Sequence, residues 1–324
     1  MYFDPKTKEN IKDFFNFELL REELKNALED KLIPLIAVHG IRRTGKTSLI
    51  RVVLNACKKK YVWIDSRDIS LREDFYRKLS DETKKLRKFK ISRISIKGIE
   101  LDINSNKDMD YLNKHKTILV IDEAQLLKRF HLDQTIAYIY DNFHNIKIVL
   151  SGSDTGMLMG FLGKNNAKAP LYGRAIYELK TYRLNAEDGR KFLLEGSKQL
   201  GKQFTPEEIK ETIENIDGII GWLTKYGWHR HKLIHKEALR KTIEEGQAVV
   251  KEEFIQFAAR AESRYHMIAK VIKYGARWEE IIKKTNISNK QLYQMLKRMM
   301  DHGFAEKKNH FYQLTDPLLA AAIH

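Results

Sequence analysis

Gly40-Ile41-Arg42-Arg43-Thr44-Gly45-Lys46-Thr47-Ser48 is the stretch that decides how the chain is read. It follows an apolar run, Leu35-Ile36-Ala37-Val38, and leads into Leu49-Ile50-Arg51-Val52-Val53-Leu54. A buried strand, a glycine loop and an amphipathic helix are written in order, and the loop fits the G-x-x-x-x-G-K-[ST] pattern. Glycine lets successive N–H groups turn inward, and the helix N-terminus adds partial positive charge, so the loop is a cradle for phosphate. Lys46 is placed to reach the β- and γ-phosphates of a nucleotide, and Thr47 to set its hydroxyl on Mg²⁺.

A second stretch completes the chemistry. Thr117-Ile118-Leu119-Val120-Ile121 is a strand buried on both faces, and Asp122-Glu123 stand at its C-terminal end, where open α/β sheets bind ligands. Asp122 would hold Mg²⁺, directly or through water, and Glu123 would orient the attacking water or take its proton. Ile146-Lys147-Ile148-Val149-Leu150 is a further strand that ends in Ser151-Gly152-Ser153. Ser151 or Ser153 is a candidate to sense the γ-phosphate, while the other serves equally as a helix cap. Arg174 follows a glycine and precedes the strand at residues 175–179; it either offers a fork to phosphate or pairs with a carboxylate such as Glu178.

The flanking segments are read from periodicity. Residues 11–30 repeat apolar side chains at three and four, with Asn16 as a helix cap. Phe15, Asn16 and Phe17 precede the first core strand, where they suit contact with a nucleotide base and suit packing of helix on sheet equally well. Residues 61–65 predict the second strand and residues 70–88 a charged helix. Alternation over residues 91–103 predicts a half-exposed hairpin, and residues 104–110 a loop. Four helical segments follow at 186–200, 205–216, 222–233 and 234–245, with Thr205-Pro206-Glu207-Glu208 a strong helix start. His229, His231 and His235 in this block read as part of a solvated basic helix.

From residue 263 three helices and a hairpin describe a winged helix-turn-helix. Its third helix would expose Lys290, Gln291, Gln294, Lys297 and Arg298, and the hairpin Lys307 and Lys308. These side chains suit the phosphates and base edges of double-stranded DNA, although the same unit serves elsewhere to contact protein.

Composition sets limits on all of this. At 324 residues the chain exceeds one typical core, and its net charge of +16 favours anionic partners. A single cysteine excludes an internal disulfide framework. No signal-peptide layout and no apolar run of membrane-spanning length is present, so the expectation is a cytoplasmic protein with no membrane partner.

With these residues in hand, the chain resembles archaeal P-loop ATPases of the STAND type, relatives of AAA+ proteins, and more distantly the archaeal replication-initiator ATPases. The resemblance runs from about Asp13 to the C-terminus. It rests on Phe14-Phe15-Asn16-Phe17-Glu18, Gly40 to Ser48, Ile121-Asp122-Glu123-Ala124-Gln125, Leu150-Ser151-Gly152-Ser153, Pro170-Leu171-Tyr172-Gly173-Arg174 and residues 218–223, with Leu314-Thr315-Asp316-Pro317 after the hairpin.

The resemblance implies an α/β P-loop NTPase with a five-strand parallel sheet at residues 1–183, a helical lid at 184–262 and the winged helix at 263–324. It implies ATP and Mg²⁺ as cofactors, a phosphate-facing Arg174 in cis or toward a neighbouring subunit, and Ile220 at the adenine. Two positions depart from the family: Phe17 stands where arginine is common, and Ile220 where proline is common. The expected activity is a slow ATPase switch coupled to DNA. The alternative is a signalling or assembly ATPase that docks protein or itself.

Overall fold

The computed structural model describes residues 1–87, 101–164, 166–259 and 261–323; for residues 101–106 it describes the backbone. Five short apolar runs form β1 (Leu35–His39), β2 (Tyr61–Asp65), β3 (Ile118–Asp122), β4 (Lys147–Gly152) and β5 (Tyr177–Lys180). All pair in parallel in the order β2-β3-β4-β1-β5. Parallel strands return through crossovers, so their C-terminal ends share one edge. The register sets Asp65 against Asp122 and Val38 against Ser151 along that edge.

Alternation along the strands feeds two cores. Ile36, Val38, Val120 and Val149 face α1 (Glu18–Glu29) and α2 (Lys46–Ala56). Leu35, Ala37, Leu119, Ile121, Ile148 and Leu150 face α3 (Arg72–Arg87), α4 (Leu101–Lys114), α5 (Leu132–Asn142) and α6 (Thr155–Phe161).

A helical block follows: α7 (Ala186–Gln199), α8 (Pro206–Ile216), α9 (Ile220–Arg230) and α10 (His235–Ala258). Asn185 caps α7, and Thr205 with Glu208 forms a reciprocal capping box on α8. His229 and His235 are buried rather than solvated and meet carboxylates, while His231 is exposed. His229 Nε2 lies 3.2 Å from Glu245, and His235 lies 2.9 Å from both Glu211 and the Tyr226 hydroxyl.

The C-terminal block holds α11 (Glu262–Ile272), β6 (Ala276–Arg277), α12 (Trp278–Thr285), α13 (Asn289–Asp301), β7 (Ala305–Lys308), β8 (Phe311–Leu314) and α14 (Pro317–Ala322). Its strands pair antiparallel in the order β6-β8-β7. Strand β6 and helix α14 go beyond the three helices and hairpin expected from sequence. Asp316 fixes α14 by accepting from the Leu318 N–H at 2.9 Å and from the Trp222 indole at 3.0 Å.

The structure corrects three local readings. Residues 104–110 are helical rather than looped, because α4 needs only Met109 and Leu112 to reach the core, while buried Asp108 pairs with Arg87 at 2.9 Å. Asn16 does not cap α1: Phe17 holds the cap position, and both residues are left-handed at φ 60°. Helix α10 continues past residue 245 to Ala258, and within it Gly246 leaves room for Leu318 of α14, since a Cβ there would fall 2.2 Å from the leucine. The hairpin expected at residues 91–103 lies outside the described residues up to 100, and Leu101 onward is helix.

Candidate nucleotide site

The phosphate loop leaves the C-terminal end of β1 and enters α2. Gly40 and Gly45 hold φ 144° and 86°, values that side chains resist. Thr44 braces the loop: its hydroxyl donates to the Ile41 carbonyl at 2.8 Å and meets the Thr181 hydroxyl at 2.7 Å. Lys46 is 6% exposed, and its ammonium donates to the carbonyls of Gly40 at 2.9 Å and Ile41 at 2.7 Å. Burial pushes it down to about 8, against the pull of Glu123 and Asp122 toward the charged form. His39, next to the loop, is held near 4 by burial and by Lys180, and is neutral over the ordinary pH range.

Thr47 and Asp122 meet where a metal would be held. The Thr47 hydroxyl donates to the Asp122 carboxylate at 2.9 Å, and the Ser151 hydroxyl donates to its other oxygen. Burial raises the Asp122 carboxyl, while these two donors favour its charged form. A hydroxyl and a carboxylate in contact are hard oxygen donors of the kind Mg²⁺ takes.

Glu123 adopts a left-handed backbone, φ 53°, that turns its side chain toward the end of β4. One carboxylate oxygen accepts from the Ser153 hydroxyl at 2.8 Å, the Ser153 N–H at 3.1 Å and the Gln125 amide at 2.7 Å. The two serines are thus separated in role: Ser151 is fully buried on Asp122, and Ser153 lines the phosphate cavity and holds Glu123. That cavity has a volume of about 450 Å³ and includes Lys46, Thr47, Glu123 and Ser153 in its wall.

The structure moves other expected residues. Arg174 precedes β5, whose start pairs with the start of β1, so it lies at the sheet edge opposite the loop. Its fork binds Asp141, with Nε at 3.0 Å, and a cis phosphate contact is thereby corrected. Arg67, which the sequence reading passed over, follows β2 at the correct edge and lines the cavity; Asp65 grips it at 2.9 and 2.6 Å and keeps it charged. Its only sequence signal is its place just after a core strand.

A second cavity, about 510 Å³, continues from the first: Arg43, Gly45 and Ser48 line both. Phe14, Phe15 and Ile220 also line it, which suits a flat apolar base. Asn16 and Phe17 do not. The paired left-handed residues turn Phe17 into the core, 1% exposed, with its ring 4.9 Å from that of Tyr182.

The loop arginines reach the C-terminal half. Arg43 pairs with Glu253 of α10 at 2.7 Å and lies 4.4 Å over the Trp222 ring. Arg42 pairs with Asp154 at 2.8 Å and donates to the His302 carbonyl at 3.2 Å. Asp154 also faces the His302 imidazole at 3.4 Å, just past α13. On α13 the side chains of Lys290, Gln291, Gln294 and Lys297 are exposed, as are Lys307 and Lys308 on β7. Arg298 is not among them; it is half-buried against Phe257 and Tyr265.

A glycine-rich loop, a hydroxyl–carboxylate pair and two joined cavities along one edge of a parallel sheet are the layout of a P-loop ATPase. The family described as an ATPase domain predominantly from Archaea matches residues 14–225, and the chain belongs to it. It is similar to the Walker-type ATPase PABY2304 of Pyrococcus abyssi, at 29% identity and a TM-score of 0.86, over 100% of this chain and 99% of that one. Cdc6p of Pyrobaculum aerophilum shares the fold at 14% identity and a TM-score of 0.55, over 99% and 96% of the two chains. ORC2 of Aeropyrum pernix does so at 13% and 0.55, over 97% and 92%. No curated protein matches the chain. Among the described residues no helix is long and apolar enough to cross a membrane.

Proposed function

We propose that this ATPase is a slow Mg²⁺-dependent switch whose nucleotide state sets the posture of a C-terminal winged helix on double-stranded DNA. The proposed division is an ATPase unit at 1–183, a lid at 184–262 and a winged helix at 263–324. Thr47 and Asp122 would hold Mg²⁺, which offsets phosphate charge when bound. Lys46 and Arg67 face the same charge from the protein side. Glu123, held by Ser153 and Gln125, is the group that orients water and accepts its proton.

One observation carries the coupling. Asp154 directly follows Ser153, and its carboxylate meets both Arg42 of the phosphate loop and His302 at the end of α13. A rearrangement at the phosphate end would therefore reach the end of α13 through Asp154 and through Arg42, which itself donates to the His302 carbonyl. The exposed lysines of α13 and β7 would lie on DNA phosphates.

The test is fluorescence anisotropy of a mixed-sequence duplex, without nucleotide, with ADP and with ATP, over a salt series. Binding that weakens with salt, differs between nucleotide states and drops in a Lys290→Ala, Lys297→Ala double variant is expected. No binding in any state would refute the DNA arm and leave the alternative, a signalling or assembly ATPase that docks protein. Tyr274 and Tyr293, 86% and 60% exposed on this unit, favour that second reading.

A further inference from the structure

Residues 2–8 precede the part of the chain that the family covers, and they build one wall of the base-end cavity. Asp4, Lys6, Thr7 and Lys8 line it opposite Thr224 and Trp228 of α9. The segment is fastened at both ends. At one end Phe3 is 2% exposed and sits between α7 and α9. A Cβ added to Gly196 would fall 2.2 Å from the tip of its ring, and one added to Gly227 would fall 2.1 Å from its base. Both helices carry glycine at the points where the ring needs room. Phe192 meets the ring edge-on at 5.4 Å and Phe204 stacks on it at 6.0 Å. Beside it, the Tyr2 hydroxyl donates to Glu195 at 3.1 Å. At the other end the Lys8 N–H donates to the Ser48 hydroxyl of the phosphate loop at 3.0 Å. The segment therefore spans from the helices of the lid to the first turn of α2, along the cavity that opens onto the phosphates.

We propose that residues 2–8 are a strap that holds the nucleoside end of ATP and ADP against α9, and that release of nucleotide requires Phe3 to leave its socket. The proposal rests on the slow-switch reading of the site. Fastened at Phe3 and at Lys8, the strap ties lid and phosphate loop together around the base and ribose. It acts on nucleotide residence and leaves the water-orienting group, Glu123, untouched.

The experiment follows dissociation of tritiated ADP from the full chain by filter binding, after a chase of unlabelled ADP. Phe3→Ala and Gly227→Ala each should speed release by about tenfold or more, since altered contacts at one interface act mostly on the off-rate. The double variant should release no faster than Phe3→Ala alone, because the added Cβ has no ring left to meet. Lys8→Pro, which removes the N–H given to Ser48 together with the ammonium that donates to the Met1 and Asp4 carbonyls, should speed release by unfastening the other end of the segment. It keeps the test open if Phe3→Ala does not fold.

Unchanged release in folded Phe3→Ala or in Lys8→Pro would overturn the strap. So would additive effects in the double variant. Failure of the unmutated chain to retain ADP would instead overturn the slow-switch reading on which the strap depends.

Discussion

Nucleotide binding should draw a proton from solution at alkaline pH, and Lys46 is the group that takes it. In the structure its ammonium is buried on two carbonyls of its own loop, and burial lowers it from 10.5 to about 8. Phosphate oxygens in place of those carbonyls restore the ordinary value or exceed it. Affinity should therefore fall by roughly two orders of magnitude as pH rises from 8 to 10.5.

At pH 8.5 much of the free protein has lost this proton, so binding of MgADP should take up a measurable fraction of a proton per site. The phosphates of ADP have finished titrating below this pH, so the uptake belongs to the protein. Titration calorimetry in buffers of different ionisation enthalpy reads it directly. Lys46→Arg, whose charge does not titrate here, should bind with no uptake. Absence of uptake in the unmutated chain, or equal uptake in Lys46→Arg, would refute the reasoning. The same depression works on stability. Between about 8 and 10.5 the folded, ligand-free chain holds fewer protons than the unfolded one, so this lysine's contribution to stability grows with pH across that window.

Three further outcomes follow from the same geometry. Glu123→Gln should cut turnover by roughly 10² to 10⁴ while ATP still binds, as seen by pairing a phosphate-release assay with equilibrium binding; unchanged turnover would remove Glu123 from its role. Ser153→Ala deletes one of three donors on that carboxylate, and hydrogen bonds to charged groups are worth about 1.5–3 kcal/mol. Its kcat should fall by roughly tenfold or more with KM for ATP nearly constant, in steady-state kinetics. Leu292→Ala, at a fully buried position of α13, should cost about 2–5 kcal/mol in urea unfolding.

The parts of the site that could be read from sequence are those whose chemistry is contiguous in the chain. A loop flanked by an apolar strand and an amphipathic helix, and two acids after four apolar residues, leave little choice of geometry. The five strands emerge within a few residues of their expected places because runs such as Ile118–Asp122 are buried on both faces. What was not legible depends on the far side of a contact. Phe17 turns away from the base because Asn16 and Phe17 both adopt left-handed conformations, which no side-chain pattern announces.

Arg174 is instructive in another way. A residue that enters a parallel strand lies at the edge opposite a loop that leaves one, so topology places it far from the phosphates even though its glycine turn suggested otherwise. The opposite error applies to Arg67, which leaves a strand and needed no motif to be in place. Residues 2–8 have no periodicity at all. Their position is written in two glycines about 190 and 220 residues away, each meaningful only once Phe3 lies between the helices.

Helix α10 gives the Arg43–Glu253 contact a mechanical meaning. The grip falls eighteen positions from His235, the helix's first residue. At 1.5 Å per residue that is an arm of about 27 Å, so a tilt of about 5° at Glu253 sweeps the His235 end through roughly 2 Å. A pivot near the Glu253 grip would thus be felt most at His235, where the helix is itself held by Glu211 and the Tyr226 hydroxyl.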